Sequence, residues 1–189
     1  MTTTTERRWP LAEALPIAQR LRTRLSCACA RIEIAGSIRR CKRDVGDVEL
    51  LAIPRLTSYQ ANFFGLARAY DHLEEWVKTL IIAGDLAYRP TTHAARTYGK
   101  QNKLLIDTVT GMSVDIFSTT AQNWGMALMV RTGPKDWNVR FMARLQQLGC
   151  RGHAYSGVTG ADGVEHNCPD EETVFRFLGW AYIPPESRT

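Results

Sequence analysis

Between Gly36 and Leu51 the chain reads GSIRRCKRDVGDVELL, and the pair Asp47 and Glu49 within it limits the possible folds most. VGDVELLAIP has the composition of a strand that Pro54 ends. Residues i and i+2 of a strand point to the same face, so the two carboxylates project together. A third acid, Asp115, stands in a second predicted strand, SVDIF, where Val114 and Ile116 would anchor it in a sheet. Three carboxylates converging on a sheet are hard oxygen donors suited to Mg2+ or Mn2+, ions that bind carboxylates and phosphates together. Two such ions, about 3.5–4 Å apart, can activate an attacking hydroxyl and neutralise a leaving pyrophosphate. Gly36 and Ser37 form a turn leading into a basic helical turn, which offers backbone N–H groups, a hydroxyl and the Arg40 guanidinium to a triphosphate. Taken singly, Asp47 and Glu49 also fit the solvent face of an edge strand, and Gly-Ser an ordinary turn. Gly-Ser, ten residues, D-x-E and a distant V-D-I-F together point to a nucleotide site.

The rest of the chain supplies helices and short strands. Leu11, Leu15, Ala18, Leu21 and Leu25 share one face of a helix predicted over 11–25, with Pro10 suited to its first turn. A short strand follows in RIEIAGS. Residues 59–83 carry helical periodicity that Gly84 stops. KLLIDTV and SVDIFST read as a hairpin turning at Thr110 and Gly111. NWGMALMVRTG and DWNVRFMARLQQLG read as helices, residues 152–168 as a Gly-rich hairpin, and EETVFRFLGWAYIPPESR as a helix with an extended tail. Residues 1–8 read as a loose tail. The fold class is α+β (α/β), a small mixed sheet with helices, and a hinge near Ser118 divides residues 1–118 from 119–189.

Composition excludes several classes. A chain of 189 residues with 44% hydrophobic and 23% charged residues is neither disordered nor fibrous, and buries about 70% of its extended surface without staples. No apolar run approaches the ~18 residues of a membrane span, and MTTTTERRWP holds no secretory stretch. Five cysteines without scaffold spacing favour a reducing cytoplasm. Cys27 and Cys29 read as small core or surface residues. Cys150, His153, His166 and Cys168 flank the Gly-rich hairpin as potential zinc ligands, in a spacing that matches no standard module. The net charge of +5 permits a polyanionic partner. Arg7, Arg8, Arg39, Lys42, Arg43, Lys100 and Lys103 are candidate contacts to a nucleic-acid backbone, or a solvated face.

GSIRR through GDVELL, followed by SVDIF, resembles the palm of the nucleotidyltransferase superfamily, specifically the family X DNA polymerases typified by DNA polymerase beta. RTGPKDWNVRFMARLQQLG is similar to the Thr-Gly turn and helix that hold the nascent base pair in that family. TVFRFLGWAYIPPESR is similar to its closing segment. The resemblance spans residues 10–188 and implies a minimal enzyme of the kind found in bacteria, phages and large viruses. That form pairs a palm (1–118) with a thumb-like subdomain (119–189) and lacks the lyase and fingers domains. Asp47, Glu49 and Asp115 then fall on the metal-binding carboxylates, Asp115 helping to activate the primer 3′-hydroxyl. Gly36, Ser37 and Arg40 fall on the triphosphate grip, Gly133 beside the incoming sugar and Asn138 on the incoming base. The implied reaction is two-metal transfer of dNMP from a dNTP to a DNA 3′-end by a monomer, in gap filling or end repair. Template-independent transfer, transfer to a protein, tRNA or small molecule, and a DNA-end-binding scaffold are the alternatives.

Departures from the family pattern carry expectations of their own. Glu49 stands for the usual Asp and moves the carboxylate by about 1.5 Å, which favours Mn2+ over Mg2+. Val45 replaces a phosphate-contacting serine, Val130 and Arg131 replace aromatic residues, and Met142 replaces a basic residue, which together imply lower fidelity and looser sugar discrimination. The family's cis peptide after Gly133 is here an X-Pro bond, for which cis costs only about 0.5–1 kcal/mol, so a cis Gly133–Pro134 bond is expected.

Overall fold

A computed structural model of the chain describes residues 7–60, 67–90 and 98–189. Residues 1–6 of the expected tail and 61–66 of the expected helix lie outside the described residues. A short strand β1 (Trp9–Pro10) leads into helix α1 (Leu11–Ser26), in which Ala18, Leu21 and Leu25 are buried as predicted, Leu11 and Leu15 are half-buried, and Ala14 and Ile17 join the buried face. Strand β2 (Cys29–Ile34), the single helical turn α2 (Gly36–Arg39), β3 (Asp44–Val45) and β4 (Asp47–Pro54) follow. Next come β5 (Leu56–Gln60), β6 (Ala67–Asp71), α3 (His72–Ile82), β7 (Leu86–Tyr88), β8 (Asn102–Asp107) and β9 (Ser113–Ser118). The main sheet has five strands in the order β2-β4-β9-β8-β7, mixed because β4 and β9 run parallel.

Period two in β4 decides what each side of this sheet does. Val48, Leu50 and Ala52 join Val114 and Ile116 of β9 in a core under α1 and α3. Leu51 and Phe117 face the other side, where helix α4 (Trp124–Thr132) covers them with Trp124, Ala127 and Leu128. The uncovered part of that second side carries Asp47, Glu49 and Asp115.

Helix α4 is buried from Trp124 to Met129 because it serves two cores. Its Met126 and Met129 pack with α5 (Lys135–Gln147) and α6 (Glu171–Leu178) around Trp137, Phe141 and Phe175. Gly125 is required there, since a Cβ would lie 1.9 Å from the Asp170 carbonyl oxygen. Strands β10 (Arg151–His153), β11 (Gly157–Thr159) and β12 (Glu165–His166) form a three-stranded meander where one hairpin was expected.

The helix expected over 59–83 needs correction. The helix within 59–83 begins only at His72, where Asp71 caps it by accepting from the Glu74 N–H at 3.0 Å. Leu73, Val77 and Leu80 supply its buried face, while Leu56–Gln60 and Ala67–Asp71 pair as an antiparallel ribbon. Ribbon residues Tyr59 and Tyr70 prefer the pleated state. Strand β7 was too short to show a period. The Gly133–Pro134 bond is cis, as expected. No helix among the described residues is long and apolar enough to cross a membrane.

The sheet and the C-terminal helices are joined by a buried charge cluster. Arg39 of α2 donates both terminal nitrogens to Glu171 at 2.9 and 2.8 Å and bonds Thr132 of α4 at 2.7 Å. Arg188 donates to the same carboxylate at 2.6 and 3.0 Å, with no exposed surface of its own. Burial works to raise the Glu171 pKa, but the bonds from Arg39 and Arg188 outweigh it and hold the carboxyl below its ordinary range. Removing one member strands buried charge, so Glu171→Ala is expected to cost about 3–5 kcal/mol in urea unfolding. A loss below about 1 kcal/mol, the level of a surface ion pair, would contradict this role.

Candidate active site

The site is built on the uncovered side of β4 and β9. In the parallel register Asp47 lies opposite Ser113 and Glu49 opposite Asp115. The turn at Gly36 and Ser37 sits over β4, tied by the Ala35 N–H to the Glu49 carbonyl at 2.8 Å. Gly36 has φ +63, and a Cβ there would lie 1.8 Å from Glu49 Oε2. Glycine therefore lets the turn close directly onto this carboxylate.

Desolvation dominates the electrostatics. Burial, reinforced by Asp47 and Asp115, pushes Glu49 up to about 8 against the pull of Arg131 and Arg40. Asp115 is pushed up to about 6 by burial, with Asp47 adding to the rise and Arg89 opposing it through an ion pair. Arg131 lies 3.6 Å over the Phe117 ring and bonds the Tyr155 hydroxyl at 2.5 Å; that hydroxyl donates to Asn102.

Three cavities meet around these groups. One of about 460 Å³ is lined by Arg8, Ser37, Arg40, Asp47, Glu49 and Arg89. A second, of about 540 Å³, is lined by Arg40, Glu49, Gly133, Asn138, Val139 and Met142. Arg40 and Glu49 thus border both. Asp115 opens on an adjoining space of about 270 Å³ with Asn102 and Arg131. Arg40 donates to the Thr132 carbonyl, and Asn138 Nδ2 donates to the Val130 carbonyl at 2.8 Å. Among the described residues, the Ser37 hydroxyl and the Asn138 side-chain oxygen are buried without a hydrogen-bond partner, so both keep bonding capacity for a ligand.

The second cavity is made by α4, the Thr132–Gly133 turn and α5, and residues 127–189 match the family model described as DNA polymerase beta thumb. In that region the chain is family X polymerase-like. No curated protein matches the chain. The thumb contributes Gly133 and Asn138 to the site, while Gly36, Ser37, Arg40, Asp47, Glu49 and Asp115 come from the sheet and α2.

Several expected residues lie elsewhere. Lys103 is fully buried, paired with Glu74 at 3.2 Å and bonded to the Gly99 and Lys100 carbonyls, so it does not reach a nucleic-acid backbone. Arg39 is likewise committed, to Glu171 of the thumb. Lys42, Arg43 and Lys100 are exposed. The candidate zinc ligands are engaged separately: Cys168 is buried in the thumb core, Cys150 Sγ donates to the Leu148 carbonyl, and His166 packs on Phe177. Among the described residues no three His, Cys, Asp or Glu side chains are grouped closely enough to hold a metal. For the three carboxylates the physical reason is visible: Arg89 holds Asp115, and Glu49 is tucked under Gly36. Arg89 was missed because YRPTT carries no pattern. Arg8 was read only as a backbone contact, and it reaches the acidic cavity because Trp9 of β1 pairs with Val45.

A carboxyl whose pKa is raised by folding keeps its proton in the native state where the unfolded chain has released it, so stability falls as pH climbs through that interval. With Glu49 at about 8 and Asp115 at about 6, the melting temperature in EDTA is expected to fall from roughly pH 5 to 8 and then level off. Glu49→Gln should flatten most of the fall. A wild-type melting temperature that rises over this interval would contradict the electrostatic reading.

Proposed function

We propose that this protein is a metal-dependent DNA nucleotidyltransferase that adds dNMP from a dNTP to a DNA 3′-end. The observation that carries the reading is the shared wall of the two cavities, where Arg40 and Glu49 join an acidic, arginine-rimmed space to one made by the polymerase beta-type thumb. Residues 1–118 would act as the palm and 119–189 as the thumb.

The donor chemistry fits a divalent ion. Asp47, Glu49 and Asp115 offer hard oxygens, and Glu49 is pushed up to about 8 first by burial and then by the neighbouring Asp47 and Asp115, a cost that a bound cation would relieve. These three residues would hold Mg2+ or Mn2+, which when bound supplies positive charge for the attacking hydroxyl and the leaving pyrophosphate. The Ser37 hydroxyl, Arg40 and Arg8 would bind the triphosphate, Arg8 making up for Val45, whose side chain is buried beneath Trp9. Gly133 and the open oxygen of Asn138 would hold the nucleoside. Asp115, at about 6, is mostly ionised at neutral pH and would accept the 3′-hydroxyl proton. Lys42, Arg43 and Lys100 would meet DNA phosphates, in keeping with the +5 net charge. Val139 and Met142 give this cavity an apolar wall, with Met142 standing where relatives are expected to carry a basic residue, which favours low fidelity.

One observation favours a second reading, a DNA-end-binding scaffold: the ion pair on Asp115 and the tucked Glu49 leave the carboxylates apart. Primer extension on matched, gapped and single-stranded DNA, in Mg2+ or Mn2+, separates the two. Templated incorporation in the wild type, reduced at least ~100-fold in Asp115→Asn, is expected for a group that takes the proton. Extension of single strands alone would make the enzyme template-independent. DNA binding without incorporation in either metal would favour the scaffold.

A further inference from the structure

The main sheet carries a cation to the acidic site along a row of cross-strand neighbours. Beyond β7, the Arg89 N–H still bonds the Leu104 carbonyl of β8 at 3.3 Å. Leu104 is opposite Asp115, and Asp115 is opposite Glu49. Arg89, Leu104, Asp115 and Glu49 therefore stand side by side across four adjacent strands, and neighbours in such a row share a face. The guanidinium reaches over Leu104, bonds Asp115 Oδ1, and lines the cavity that holds Asp47 and Glu49.

Arg131, which acts on both Glu49 and Asp115, is fixed by its stack on Phe117 and its bond to Tyr155. Arg89 hangs from the end of the edge strand β7, and its side chain keeps 26% of its surface exposed. Arg89 is not among the residues of the hydrophobic clusters. A guanidinium and a divalent ion cannot occupy the same carboxylate oxygen. Resting on the metal site proposed above, we propose that Arg89 is a tethered cation that occupies Asp115 until a divalent ion displaces it, and so sets the affinity of the site for that ion. Its release leaves a positive charge in the cavity of Ser37 and Arg40, where a triphosphate would be bound.

The experiment is Mn2+ binding to the full chain without DNA or nucleotide, followed by the electron paramagnetic resonance signal of the free ion. Arg89→Gln, which keeps most of the stem, is expected to bind Mn2+ about 5–10-fold more tightly than wild type, because the binding-competent fraction no longer competes with the ion pair. Arg8→Gln removes one charge from the same cavity without touching Asp115, and should change the affinity by less than about 2-fold, as a screened charge does. Equal or weaker binding by Arg89→Gln, or equal tightening by Arg8→Gln, overturns the proposal while leaving the metal site intact. Unchanged affinity in Asp115→Asn, or no binding by wild type and Arg89→Gln alike, overturns the metal site and the proposal together.

Discussion

The carboxylate of Glu171, held between two guanidinium groups, is the constraint on which the rest of this structure depends. Arg39 reaches it from the turn beside the sheet, and Arg188 from the last residues of the chain, where Trp137, Phe175 and Tyr182 surround the guanidinium at 5.4–5.9 Å. Buried ion clusters add little net stability over apolar packing, yet are costly to break. Their effect here is geometric. Because Arg39 is anchored in the thumb and bonds Thr132, its neighbour Arg40 comes under the Thr132 carbonyl and Gly133. Arg40 thereby becomes the wall common to both cavities.

Charge is arranged in opposite ways at the two ends of α2. On the Glu171 side, two guanidinium groups bond one carboxylate and hold it ionised. On the Glu49 side, burial dominates and pushes Glu49 and Asp115 upward in spite of Arg40, Arg131 and Arg89. Desolvated carboxyls oppose folding, and such groups cluster at functional sites. Gly36 adds to the desolvation, since the turn closes onto Glu49 and shuts water out.

Much of this was legible in the sequence, for reasons that can be named. D-x-E on a strand fixes which face carries the acids, and V-D-I-F fixes Asp115 by the same period. The apolar spacing of α1, and of α3 from Leu73 onward, reported buried faces directly. What stayed hidden is carried by contacts between residues far apart in the chain. Nothing near Lys103 announces Glu74, nothing near Arg39 announces Glu171, and the reach of Arg89 to Asp115 depends on strand order. The end of β5 from Tyr59 and the whole of β6 read as helix because these short strands precede a strong helical period and share no period of their own.

The claim at the centre of this account is that one nucleotide spans both cavities across Arg40 and Glu49. A crystal structure with Mn2+ and a non-hydrolysable dNTP tests it most directly. The account expects metal density at Asp47, Glu49 and Asp115, the triphosphate on Ser37 and Arg40, and the base beside Asn138. A nucleotide bound outside these cavities, or metal density away from the three carboxylates, would contradict it.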